Sequence, residues 1–212
     1  MFEVERVKLV QKLKKESLIK TEAVEKAFLE TSRELFVPDA VKNHAYFDTP
    51  LQIGNGQTIS APHMVAIMCE ALDIKEGQKI LEIGAGSGYH AAIVSKLVGE
   101  NGHVYTVERI PSLAQNAKTN LEKSNITNVT VKIGDGSEGL VDFAPYNRIY
   151  VTCAAPETPP PLLKQLKDDG KLLIPVGKIF CNLELIEKKG KKNTSKNLGG
   201  CAFVPLVGKH GF

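Results

Sequence analysis

A doubly wound α/β fold with an antiparallel end is the architecture this sequence predicts, and three observations carry the prediction. The first is Ile80-Leu81-Glu82-Ile83-Gly84-Ala85-Gly86-Ser87-Gly88-Tyr89, an apolar β-type run that ends in an acidic residue and three alternating glycines. The second is the regular alternation of short β-rich runs and helical patterns from residue 79 to about residue 175. The third is a change of character beyond that point, where two β-rich segments flank a lysine-rich loop.

Taken in order, residues 1 to about 35 alternate charged and apolar residues at helical spacing, and Thr21 is placed to cap a second helix with Glu22 and Glu25 in its first turn. Phe36-Val37-Pro38-Asp39 breaks that pattern, and the stretch to about residue 56 has no clear period. A helix is expected from Pro62 to Leu72, with Ser60 as a candidate capping hydroxyl and Pro62 in the first turn. Strands follow at residues 79–83, 103–108, 129–133, 148–152 and 171–175, with helices at 89–98, 111–123 and 162–166 between them. Leu183 to Ile186 and Ala202 to Val204 are expected to pair as a hairpin across Lys188-Lys189-Gly190-Lys191-Lys192. The whole reads as one domain: residues 1–56 a helical cap or lid, 57–178 the core and 179–212 the antiparallel hairpin.

Composition excludes several classes of function. A chain of 212 residues with 42% apolar content can bury a substantial core, and a formal charge of +3 is too small for a dedicated nucleic-acid binder. Neither a basic leader before an apolar stretch nor a long uninterrupted apolar run is present, so the expectation is a cytoplasmic protein off the membrane. Cys69, Cys153, Cys181 and Cys201 are scattered without ligand spacing, which points to buried apolar residues and to no metal site.

The glycine run carries the chemistry. A strand that feeds a tight turn and then a helix lets backbone approach a ligand closely and aims free helix amides at it, which suits a small molecule with an adenosine-like end. The dinucleotide fingerprint would need a glycine where Tyr89 stands. The spacing E-x-G-x-G-x-G, built from Glu82, Gly84, Gly86 and Gly88, instead resembles motif I of S-adenosylmethionine-dependent methyltransferases. Glu108 closes the next strand 20 residues beyond Gly88, where an acidic residue can accept from two ribose hydroxyls. Asp135, between Gly134 and Gly136 at the end of the third strand, is placed to reach an adenine amino group.

Four further segments together resemble one family, the protein-L-isoaspartate (D-aspartate) O-methyltransferases. They are Gln57-Thr58-Ile59-Ser60-Ala61-Pro62, Leu81 to Tyr89, Gly134-Asp135-Gly136 with Ala144-Pro145-Tyr146, and Gln165-Leu166-Lys167 running on to Leu173-Ile174-Pro175-Val176-Gly177. Phe203-Val204-Pro205-Leu206 resembles the family's C-terminal signature. The resemblance covers residues 36 to 212 and implies methyl transfer from S-adenosylmethionine, with S-adenosylhomocysteine as product. The acceptor it implies is the free α-carboxylate of L-isoaspartyl residues, and of D-aspartyl residues by the family's name, in damaged proteins and peptides. It also implies Ser60 as the active-site residue, Thr58, Ile59, Ser60 and Gly136 at the cofactor, and Val204 and Leu206 along the peptide groove; a monomer is expected. One departure stands out: Cys181, followed by Asn182, occupies the place of a glutamine common in the family.

That chemistry fits what the sequence lacks. A carboxyl group titrates near ~4, so the acceptor is already ionised and needs no general base. Ser60 is therefore expected to orient the acceptor rather than attack anything. The ester would close to a succinimide that reopens as aspartate, which makes the role one of repair. Base methylation lacks support, because Cys153-Ala154-Ala155-Pro156 stands where an Asn/Asp-Pro-Pro-Tyr-like segment should follow the fourth strand, and Cys153 follows Thr152 rather than proline. A cofactor-binding protein without catalysis is the other alternative, and the intact Ser60 segment argues against it.

Overall fold

The computed structural model describes residues 2–178, 180–190 and 192–212. Two N-terminal helices, α1 (Phe2–Lys15) and α2 (Glu22–Glu30), lead through two 3-10 turns into a short hairpin, β1 (Leu51–Gly54) and β2 (Gln57–Ile59). Then come α3 (Pro62–Leu72), β3 (Lys79–Ile83), α4 (Tyr89–Val98), β4 (His103–Glu108), α5 (Pro111–Lys123) and β5 (Val129–Ile133). Two further 3-10 turns precede β6 (Tyr146–Val151), α6 (Pro160–Gln165), β7 (Leu166–Val176), β8 (Cys181–Lys189) and β9 (Lys192–Cys201).

The seven-stranded sheet has the order β5-β4-β3-β6-β7-β8-β9, parallel from β5 to β7 and antiparallel from β7 to β9. The strand order reverses direction between β3 and β6, so a crevice opens beyond their carboxyl ends, where ligands of such sheets collect. Alternate residues of each strand serve two cores. Ile80 and Tyr150 belong to the cluster on the side of α3, α4 and α5, whereas Leu81, Ile149 and Val151 belong to the other, with Leu162 of α6. Helices thus lie on both faces, as expected, but unevenly, since only 3-10 turns connect β5 to β6. The first cluster also takes in Leu9, Val10 and Leu13 of α1 and Val24, Ala27 and Phe28 of α2, so the N-terminal segment is fastened to the core by burial of apolar surface. Thr21 caps α2 as expected, its hydroxyl oxygen accepting from the Val24 amide at 3.3 Å.

The hydropathy pattern misplaced three features. The hairpin β1–β2 lies in the stretch without a period, and its turn is made by Asn55 and Gly56, both at positive φ, the conformation that two-residue hairpin turns require. Ser60 does not cap α3: the cap position is Ala61 and no side chain bonds there, while Pro62 does take the first turn. The last hairpin pairs β8 with β9 rather than with residues 202–204, because β9 is a polar, exposed edge strand that lacks the apolar alternation of a covered one. Residues 203–206 instead fold back over the sheet, where Leu206 N donates to Ala154 O at 2.7 Å and Ala154 N to Val204 O at 2.8 Å. Among the described residues no helix is long and apolar enough to cross a membrane.

Candidate active site

One cleft at the switch point collects most of the residues singled out above. Thr58, Ile59 and Ser60 line it from the end of β2, Glu82 and Gly84 to Gly86 from the end of β3, Glu108 from β4, Gly136 from the turn after β5, and Val204 and Leu206 from the returning C-terminal segment. It encloses about 900 Å³ of space, including part that is open to solvent. The sequence pattern missed other lining residues, among them Tyr89, His90, Ile110, Thr152 and Cys153. Of these Thr152 and Cys153 were within sight, as residues that end a strand next to the glycine turn.

The lining fits a nucleoside-bearing ligand. Gly84 has φ +95°, and Thr152 lies so close that even a methyl group at Gly84 would collide with its hydroxyl. Backbone there is open to close approach from the cleft side only because no side chain intervenes. At Glu108 each carboxylate oxygen is oriented by a backbone amide, Oε2 by Gly86 N and Oε1 by Ile110 N, both at 2.9 Å. Each oxygen keeps acceptor capacity for a neighbouring diol. Ile59, Val65, Ile83 and Leu206 supply apolar wall between these polar points.

Glu82 is more deeply placed than its sequence position suggests. It has no exposed surface; Oε2 accepts from the Thr106 hydroxyl, while Oε1 has no hydrogen-bond partner among the described residues. Burial pushes its carboxyl pKa up to about 8, with the nearby Glu108 charge adding to the rise and Thr106 and Tyr150 opposing it. The Tyr150 hydroxyl lies near, yet it too makes no hydrogen bond of normal geometry. His90, whose ring lies 4.4 Å from that of Tyr150, is pulled down to about 3 by burial.

Two predicted cofactor residues lie outside the lining. Gly88 is the residue before α4 and faces α5, where an added methyl group would press on Ala117 and Leu121, so its smallness serves helix packing. The Asp135 carboxylate is turned to the C-terminal segment. Its Oδ1 accepts from Ser137 N at 2.8 Å and Ser137 Oγ at 2.7 Å, and its Oδ2 from Lys209 N at 2.8 Å. Those donors hold its pKa down against the rise from burial. The spacing placed the residue at the rim but could not foresee a partner 74 positions away. Cys181 and Asn182 at the start of β8 are also outside the cleft; the Cys181 thiol faces Gly177 O at 3.7 Å. Cys69, Cys153 and Cys181 are buried, as expected of small apolar residues, and Cys201 is partly so.

Comparison with known proteins bears on the family and the fold. The family model of protein-L-isoaspartate (D-aspartate) O-methyltransferase (PCMT) matches residues 4–211. The sequence is 60% identical over 180 residues to the protein-L-isoaspartate O-methyltransferase of Methanocella arvoryzae, covering 85% of this chain and 96% of that one. It is 54% identical over 211 residues to the enzyme of the same name from Methanothermobacter thermautotrophicus, with 98% and 97% covered. Among solved structures, a protein-L-isoaspartate O-methyltransferase superposes with a TM-score of 0.91 at 34% identity, over 97% of this chain and 67% of that one. A protein-L-isoaspartate O-methyltransferase from Plasmodium falciparum in complex with S-adenosyl-L-homocysteine superposes with a TM-score of 0.85 at 26% identity, over 94% and 97%.

Proposed function

This chain belongs to the protein-L-isoaspartate (D-aspartate) O-methyltransferase family, and we infer that it moves a methyl group from S-adenosylmethionine to the free α-carboxylate of L-isoaspartyl residues in damaged proteins and peptides. The observation that carries the assignment of its site is that Ser60 shares one cleft with the glycine turn and Glu108. S-adenosylmethionine supplies an electrophilic methyl group on a sulfonium.

Everything else is done by this chain's residues. Gly84 to Gly86, Glu108 and Gly136 would hold the nucleoside, the amide-oriented carboxylate of Glu108 being the group that can accept from its ribose hydroxyls. Asp135, at the rim beside Gly136, would accept from an adenine amino group with the acceptor capacity that Lys209 N leaves on Oδ2. Gly88 contributes indirectly, by the close packing that sets the start of α4. Thr58 and Ile59 would bound the reacting end. Ser60 donates its hydroxyl proton in a hydrogen bond to one acceptor oxygen and leaves the other in line with the methyl carbon. Val204 and Leu206 line the peptide side and exclude water, which favours a reaction that converts an anion and a cation into two neutral products. No residue has to remove a proton.

Residues 1–56 act as the cap, 57–178 as the cofactor-binding core and 179–212 as the closing hairpin and tail of one working domain. The same reading has the protein act as a monomer in the cytoplasm, on damaged protein chains rather than on nucleic acid or membranes. Ser60→Ala tests the reading. It should leave S-adenosylhomocysteine affinity unchanged and lower turnover of an isoaspartyl peptide by roughly two orders of magnitude, the cost of a misplaced reactant. The assay pairs that peptide with one carrying normal aspartate. A base-labile ester on the isoaspartyl peptide alone supports the acceptor assignment, whereas full turnover by the alanine variant removes Ser60 from the site.

A further inference from the structure

Arg33 has no exposed surface, and a charge so deeply placed is ordinarily paired with an opposite one. Its partners here are carbonyls: Nε donates to Ala45 O at 2.8 Å and Nη2 to Ser60 O at 2.9 Å. Nη1 has no hydrogen-bond partner among the described residues, and the guanidinium carbon sits 4.6 Å from the centre of the Tyr89 ring. Burial lowers the Arg33 pKa from the ordinary arginine value while the Tyr89 hydroxyl raises it, and the guanidinium stays protonated.

The Ser60 backbone is therefore held from behind by a cation. Its other flank is held as well, since Asp48 Oδ1 accepts from His63 N at 2.9 Å. Both anchors come from the segment between α2 and β1, which otherwise has no part in the cleft. The cleft meanwhile presents the Glu108 carboxylate to an acceptor that must arrive as an anion, while burial keeps Glu82 largely protonated. The Arg33 charge close to Ser60, partly balanced by the Asp48 carboxylate, offsets that repulsion in a region where solvent screens little.

We propose that Arg33 is a positioning residue for the acceptor carboxylate: its guanidinium fixes the Ser60 main chain so that the hydroxyl faces the cleft, and sets a positive charge behind the docking point. This rests on the reading of Ser60 given above, and a Ser60→Ala arm keeps the two separable. Arg33→Met preserves bulk and removes the charge and both donors, while Arg33→Lys keeps the charge and loses the fork.

The readouts are KM and kcat for the isoaspartyl peptide, S-adenosylhomocysteine affinity by calorimetry, and melting temperature. Arg33→Met should raise peptide KM by about tenfold or more, the worth of a charge-assisted hydrogen bond, with S-adenosylhomocysteine affinity within about twofold of the parent. Arg33→Lys should fall between them. If the methionine variant does not fold, the lysine variant decides: a rise of about threefold or more in peptide KM at unchanged cofactor affinity supports the role. Peptide KM within about twofold of the parent in every folded variant overturns it, as does an equal weakening of peptide and cofactor, the mark of a packing role. Turnover retained by Ser60→Ala would overturn the Ser60 reading instead. Turnover lost there with peptide KM unmoved at Arg33 confines the failure to Arg33.

Discussion

A Gly84→Ala enzyme is expected to lose cofactor binding together with a large part of its stability, and removal of the Thr152 hydroxyl should restore only some of each. Gly84 has φ +95°, a conformation that an alanine adopts only under strain, and the new methyl group would point at Thr152 Oγ1. Thr152 cannot turn aside freely. Its hydroxyl donates toward two carbonyls, Ile83 O at 3.0 Å and Gly84 O at 2.7 Å, and so ties the end of β6 to the end of β3. Either the hydroxyl gives up those bonds or the glycine turn moves away from Val107 O, to which Gly84 N donates at 2.8 Å. Left-handed strain costs about 1–2 kcal/mol, overpacking about 1–3 and each lost hydrogen bond about 1. The total is roughly 3–7 kcal/mol out of a typical 5–15, which for a chain of this size corresponds to a fall in melting temperature of about 15 °C. Calorimetric titration should show S-adenosylhomocysteine affinity reduced by about a hundredfold or more. In the Gly84→Ala/Thr152→Ala protein the collision is gone and the backbone strain remains, so recovery should be partial. Parent-like affinity in Gly84→Ala would mean that the ligand does not approach the main chain at this turn.

The parts of this site that the sequence made legible are those where one local constraint dictates residue type. β3 is buried on both faces, so Ile80, Leu81 and Ile83 are apolar around the one buried carboxyl, Glu82, and the turn after it needs glycine; the two together are visible as Ile80 to Gly88. Glu108 was found because the length of a βαβ unit fixes its distance from the glycines. Arg33 was not, because a lone charged residue after a helix looks like any solvated arginine until the 3-10 turn buries it. The Asp135 rotamer was illegible for a related reason: its strongest competitors for hydrogen bonding, the amides of Ser137 and Lys209, are main-chain groups that every sequence has. Strand β9 escaped because hydropathy reads which face is covered, and an edge strand with both faces wet has none to read. Tyr89 was read as the start of a helix, correctly, but its ring contacts with Arg33 and Phe36 depend on how the cap packs on the core.

Stability should fall as pH rises from about 6.5 to 8, and Glu82→Gln should abolish that fall. Glu82 carries a folded-state pKa of about 8 against an ordinary value of 4.5, so folding holds its proton more tightly than the unfolded chain does. Its contribution is complete below about 4.5 and is lost progressively as pH climbs to 8. His90 has the opposite sign: a folded-state value of about 3 against 6.5 means that its contribution is complete above 6.5 and is lost as pH falls toward 3. Between 4.5 and 6.5 these two slopes oppose one another, and His103, which burial also lowers, adds a rise with pH toward 6.5. Above 6.5 only Glu82 slopes, and the loss by pH 8 is on the order of 2 kcal/mol at about 1.4 kcal/mol per pH interval of one. The groups packed around Glu82 do not replace it as the source. Thr106 does not titrate, and the Cys69, Cys153 and Tyr150 groups are all pushed further above their ordinary values, beyond this interval. The carboxyl is retained beside the glycine turn, in the wall of the cleft proposed to hold the cofactor, as expected of a group kept for function rather than stability. Urea unfolding at pH 5, 6.5 and 8 would measure the curves. The parent should lose stability only over the last interval, and the glutamine variant, whatever its overall stability, should not. Parallel curves for the two proteins would place the alkaline loss elsewhere and show Glu82 to be ionised throughout.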